Sequence, residues 1–276
     1  MHRMFRAATL LLALAAVCGP VQAQTVELTI EGNEAFAEID LAGIASAELT
    51  LRFDDAVGLS EENLGISVTQ IDPLSLSLLG RLPGSSSLSI PSAFPLMITI
   101  HPPTTGGLSF EGMAEVEIYT TALHYTPNTP LRLFKSSNGA AFRDITAETS
   151  AGSYRVRGNG GEWSDFLIVA DTRSVDQTVD DKFAELQSAL SASASDLDTT
   201  TFDALQDHLD DAYAAWLADD VSGAIQDLVG FENAVRAAAD DGLVPNVWRS
   251  ARDLDNHDGM LRARSETLRY SLGLAG

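Results

Sequence analysis

The chain has 276 residues, 45% of them hydrophobic and 20% charged, which is enough apolar material for packed cores and suits two ordinary domains. Its 17 basic residues face 39 acidic ones, a formal net charge of −22. Nucleic-acid binding needs Lys and Arg to displace the counterions of phosphates, so this balance argues against nucleic acid, and against an anionic membrane surface.

In chain order, MHRMFRAATLLLALAAVCGPVQAQ opens with Arg3 and Arg6, then an apolar run from Leu10 to Val17, then Val21-Gln22-Ala23. That order predicts an export signal over residues 1–23, cleaved after Ala23. The apolar run is too short to span a bilayer comfortably, so no transmembrane segment is expected in the mature chain. Losing Arg3 and Arg6 takes the charge from −22 to about −24. The only cysteine, Cys18, lies inside this signal. It follows Val17, where a lipoprotein signal wants Gly, Ala or Ser, so lipidation is not expected. Without Cys18 the mature chain carries no disulfide and relies on its cores.

From residue 24 the apolar residues recur with period two: Val26, Leu28 and Ile30; Leu49, Leu51 and Phe53; Leu64, Ile66 and Val68; Leu96, Ile98 and Ile100. Val116 with Ile118, Leu131 with Leu133, and Phe166 with Ile168 continue the series. Short alternating runs bounded by Gly, Pro, Asn and Asp predict an antiparallel β-sandwich over residues 24–173. Within it, Gly158-Asn159-Gly160-Gly161 is expected as a hairpin turn between a strand holding Tyr154 and Val156 and a returning strand over Phe166 to Ala170. A phosphate-cradling loop would lead into a helix N-terminus, and this stretch leads into a strand. Glu162 and Asp165, on the flank of that hairpin, are expected to be solvated.

After Arg173 the period becomes helical, predicting an antiparallel helical bundle over residues 174–276 able to fold on its own. Val175, Val179, Phe183, Leu186 and Leu190 mark the first helix. Phe202, Leu205, Leu209, Ala212 and Trp216 mark a second, entered through Thr199 to Thr201. Asp219 and Asp220 introduce a third, with Val221, Ile225, Leu228, Phe231 and Val235. Gly242 stops it, and Pro245 suits the first turn of a fourth carrying Val247, Leu254, Leu261 and Leu268. Trp216 and Trp248 are expected as core anchors of this bundle. The acids of this half fall mostly off the apolar stripes, as a solubilising surface would place them. The fold class expected is therefore α+β by segregated domains.

Two stretches carry resemblances. TPLRLFKSSNGAAFRDITAETSAGSYRVRGNGGEWSDFLIVAD resembles the closing strands of immunoglobulin-like sandwich domains in exported bacterial proteins. YAAWLADDVSGAIQDLVGFENAVRAAADDGLVPNVWRSARDL is similar to the FIMAH-type helical modules at the C-termini of secreted bacterial proteins, with Ala224, Leu228, Phe231 and Val235 at nearly the places of that pattern. The chain departs from it at Asp255-Asn256-His257-Asp258-Gly259, where the modules run on in apolar residues. The combination resembles exported bacterial proteins of uncharacterised function, which implies a compartment and a fold rather than a reaction.

Motifs for chemistry are sparse. There is no H-E-x-x-H, and His101, His124, His208 and His257 lack paired ligand spacing, so each is expected at a surface or boundary. Gly107-Leu108-Ser109-Phe110-Glu111 lacks the second glycine of a nucleophile elbow. Asp253, Asp255 and Asp258 approach a calcium loop, but one residue is inserted and Arg264 stands at position twelve. No catalytic, cofactor-binding or metal residue is assigned, and no cofactor. The reading is an exported, non-enzymatic binding or structural module whose partner is a protein or a cell-envelope component. The alternative is a secreted hydrolase with a glycosidase-type carboxylate pair in a groove of the β-domain.

Overall fold

The computed structural model describes residues 24–84, 86–137 and 139–276. The expected export signal and Cys18 lie outside the described residues.

The architecture is mixed α+β, with two antiparallel sheets followed by helices. The first sheet runs in the order β1 (Gln24–Glu31), β2 (Glu34–Leu41), β3 (Ala45–Val57), β7 (Ser109–Thr120), β11 (Tyr154–Gly160) and β10 (Thr146–Ser150). The second runs β4 (Ile66–Gln70), β6 (Leu96–Ile100), β12 (Asp165–Asp171), β8 (Leu131–Ser136) and β9 (Arg143–Asp144), with β5 (Leu88–Ser89) also on β12. Alternation sorts their side chains. Leu49, Leu51, Val116, Ile118 and Val156 of the first sheet share one apolar cluster with Ile98, Ile100, Leu133, Phe166 and Ile168 of the second.

Two parts of the β-region depart from the sequence reading. Leu64 does not lie in a strand with Ile66 and Val68. It closes a single helical turn, α1 (Glu61–Leu64), capped by the Ser60 side chain and ended by Gly65 at φ +60°; a second single turn, α2 (Leu76–Leu79), follows β4 (Ile66–Gln70). The stretch 158–161 is not a hairpin turn either. Gly158, Asn159 and Gly160 are strand residues of β11, paired with Val116, Glu115 and Ala114. β11 and β12 lie in different sheets, so residues 161–164 cross from one to the other.

Four long helices follow: α3 (Val175–Ser193), α4 (Thr199–Leu217), α5 (Val221–Asp240) and α6 (His257–Gly273). Side-chain caps start each one: Ser174 on Gln177, Asp198 on Thr200 and Thr201, Asp220 on Gly223, and Asn256 on Gly259. Phe183, Leu186, Leu209, Leu228, Phe231, Val235, Leu261 and Leu268 build a second apolar cluster. Between α5 and α6 the expected helix from Pro245 is absent. Val247–Arg249 forms a strand, β13, paired with Ser109–Glu111 of β7. The other side of that end of β7 is held by β3, so β13 occupies the flank that β11 leaves free beyond Ala114. Heptad spacing across Val247 and Leu254 is thus a coincidence of composition, and Leu254 is exposed.

Candidate functional site

The helices meet the sheets over a seam of buried charge. Lys182 on α3 is buried and reaches Asp144 on β9 at 2.7 Å, and it also donates to the Thr267 carbonyl, Thr267 Oγ1 and Ser271 Oγ on α6. Burial alone would raise the Asp144 carboxyl, but Lys182 and the Thr146 donors hold it below its ordinary value. Burial lowers Lys182. Further along, Arg262 forms a bidentate pair with Asp258 and reaches Asp54 of β3 at 3.3 Å.

Glu162, in the crossover, does not stay solvated. Its backbone carbonyl accepts a 2.6 Å bond from Lys135 Nζ, and its carboxylate accepts from Ser137 and lies 3.5 Å from Lys135. Burial opposes ionisation, yet Lys135 and Ser137 bring the Glu162 carboxyl down to about 2. Lys135 is only 1% exposed, and burial lowers its ammonium to about 7 against the pull of Glu162. Asp165 is likewise engaged, accepting from Thr99 Oγ1 and lying 3.6 Å from Arg81. The nearby glycines serve close packing. A Cβ on Gly161 would stand 2.7 Å from Met260 N and 2.9 Å from the Asn256 carbonyl, and one on Gly259 would strike the Gly112 carbonyl. Asn256 Nδ2 also donates to that carbonyl, so the start of α6 is seated on β7 and the crossover.

His257 is buried rather than at a surface, and lies in a chain that looks like hydrolytic chemistry. Ser193 Oγ meets Nδ1 at 3.0 Å, and Nε2 meets Asp196 Oδ2 at 2.9 Å. A nucleophilic serine must face substrate. Ser193 is 0% exposed and donates to the Ala189 carbonyl, so the chain ties the end of α3 to the start of α6. His101 meets Arg252. The calcium-like acids separate: Asp258 is spent on Arg262, and Asp253 pairs with Arg249 at 2.7 Å. Among the described residues no group of three or more His, Cys, Asp and Glu could hold a metal ion.

The two tryptophans also separate. Trp248 is buried, but in the β-cluster, stacked on Phe110 at 5.3 Å. It belongs to β13, not to a helix. Trp216 is half-buried at the end of α4 and donates to Asp180 of α3.

Of the open concavities among the described residues, two stand out by their linings, one rich in carboxylates and one apolar. One, of about 460 Å³, lies on the outer face of the first sheet. The cross-strand neighbours Glu27, Glu38 and Glu48 line it with Asp40, Tyr119 and Thr120. The other, of about 260 Å³, runs between α3 and α4. Phe183, Leu209 and Tyr213 form its floor and wall, Ala184 and Gln187 its rim, and Asp180 and Asp210 stand over it. It is pinned at one end by Trp216 on Asp180 and at the other by the paired amides of Gln187 and Gln206. The helical period marks Phe183 and Leu209 as core, but not that the helices part between them. The side-chain bridges at its two ends, Trp216 to Asp180 and Gln187 with Gln206, carry no sequence signature.

No curated protein matches the chain. The model of a family described as "Family of unknown function (DUF6689)" matches residues 8–275, and the chain belongs to that family.

Proposed function

We propose, for this member of the family, an exported, non-enzymatic binding or structural module that acts on a protein or envelope component in the periplasm or outside the cell. In this reading the two sheets form an immunoglobulin-like sandwich, and α3 to α6 form a helical bundle docked on it. The observation that carries the reading is how the ionisable groups are spent. Lys135, Asp144, Lys182, Asp258 and Arg262 are buried and committed to one another or to the backbone, and the Lys182–Asp144 pair joins helix to sheet. The exposed apolar residues Tyr213 and Leu217, by contrast, gather at one end of α4, beside an open groove. Among the described residues no helix is long and apolar enough to cross a membrane.

A photo-crosslinking amino acid at Leu217, Leu76 and Glu48 of the exported protein tests this. All three positions are exposed and lie on different elements. A discrete adduct with an envelope component from at least one position is the expected result. Adducts from none would defeat the module reading. A hydrolase remains the second reading, favoured by the carboxylate-lined concavity of the first sheet. It requires a glycan-cleaving activity in the purified protein that Glu38→Gln with Glu48→Gln abolishes.

A further inference from the structure

The groove between α3 and α4 is both apolar and one-signed in charge. Its floor is Phe183 and Leu209, with Tyr213 edge-on to Phe183 at 5.0 Å and 41% exposed. Leu217, one turn further along α4, is 66% exposed. Around these stand Asp180 and Asp210, with Asp176, Asp207 and Asp211 exposed on the same two helices. Between Arg173 and Arg236 the single Lys or Arg is Lys182, which is buried against Asp144. No cation on α3, α4 or the loop after them offsets the acids at the groove.

We infer that this groove receives a cationic amphipathic segment of a partner protein: one large apolar side chain seated on Phe183 and Leu209, flanked by Lys or Arg facing Asp180 and Asp210. This rests on the module reading and names its partner class. Charge and size carry it. Roughly 300–1,000 Å³ is usual for small-molecule sites; at about 260 Å³ the groove is smaller, and its apolar lining suits an anchor side chain. Its acids repel nucleic acid and anionic lipid. A second copy of this chain would bring net charge of −22 against the same sign. A helix laid in an apolar groove and steered by opposite charge is a familiar mode of peptide recognition.

The probe is a synthetic 18-residue helical peptide, free of tryptophan, with leucine on one face and lysine on the other. Its binding is read calorimetrically and through the change in tryptophan emission, compared with that of Trp216→Phe, because the Trp216 indole bridges one end of the groove. The expected result is saturable binding that weakens with added salt. Ala184→Arg at the rim should weaken it about tenfold, which is about 1.4 kcal/mol, and Tyr213→Ala should weaken it too. Ala184 is an exposed helical position, so the melting curve of the arginine variant should match the wild type. Equal binding of a peptide of the same composition with its leucines scattered would overturn the inference. So would an affinity that Ala184→Arg leaves unchanged. If the peptide fails while a crosslinker on a sheet face still captures an envelope component, the groove assignment falls and the module reading stands.

Discussion

Trp248 and Trp216 stand in different surroundings, and their substitutions should differ accordingly. Trp248→Ala removes a buried ring stacked on Phe110 and should cost about 3–5 kcal/mol, measured by denaturant unfolding of the full chain. Trp216→Ala removes a half-buried ring and one hydrogen bond to Asp180, and should cost about 1–2 kcal/mol. Near-equal losses would show that the two rings share one environment. Gly161→Ala belongs to the same scale. Its Cβ would meet backbone atoms of Met260 and Asn256, which cannot rotate aside, so a loss of about 1–3 kcal/mol is expected. The glycine-rich stretch around it was visible in the sequence, but its meaning was not. Glycine serves positive φ in a turn and close approach in a strand alike, and only the position of α6 decides between them.

Among elements, the strands with strict alternation were legible because one face of each is buried against the opposite sheet. β2 went unread: its inward residues Ala35 and Ala37 are too small to mark a period, although both are buried. The first three long helices were legible from their stripes, and Asp220 from its place before the third; Thr199 to Thr201, expected as caps, lie inside α4 behind Asp198, and α6 starts at His257 rather than at Pro245. β13 was not, since three residues carry no period and its pairing partner β7 lies far back in the chain. The contact between helices and sheets gives the element-scale prediction. Lys182→Met leaves Asp144 buried without its cation and should cost about 3–5 kcal/mol. Replacing both, with Asp144→Leu, should recover a large part of that loss. A double variant no more stable than the single would mean that Lys182 acts mainly through Thr267 and Ser271.

At the scale of the whole molecule, the net charge of −22 makes pH the natural variable. Glu162, at about 2 in the folded state against an ordinary 4.5, contributes stability that is present above pH 4.5 and lost as pH falls toward 2. Asp144 and Glu117 are also lowered and act in the same direction. Glu185, Glu232 and Glu266 are raised by burial and act oppositely, gaining stability as pH falls toward 4.5 from above. A difference experiment isolates the first group. Between pH 5 and pH 3, Glu162→Gln should lose less stability than the wild type, by about 1–2 kcal/mol once solvent screening of a side chain one-third exposed is allowed for. Parallel pH profiles would show that Glu162 is not held by Lys135. Fold class was readable at this scale from the change of period near Ser174, but the seam was not, because a buried Lys182 and an exposed one are written with the same letter. The late pairing of β13 with β7 also puts a clock into the biosynthesis of the chain. Glu111 leaves the ribosome 136 residues before its partner Val247, which at about 5–20 residues per second is a delay of roughly 7 to 27 s. Until Val247 arrives that flank of β7 has no partner strand and the Phe110 ring lacks Trp248, so a chain cut short before β13 leaves both uncovered.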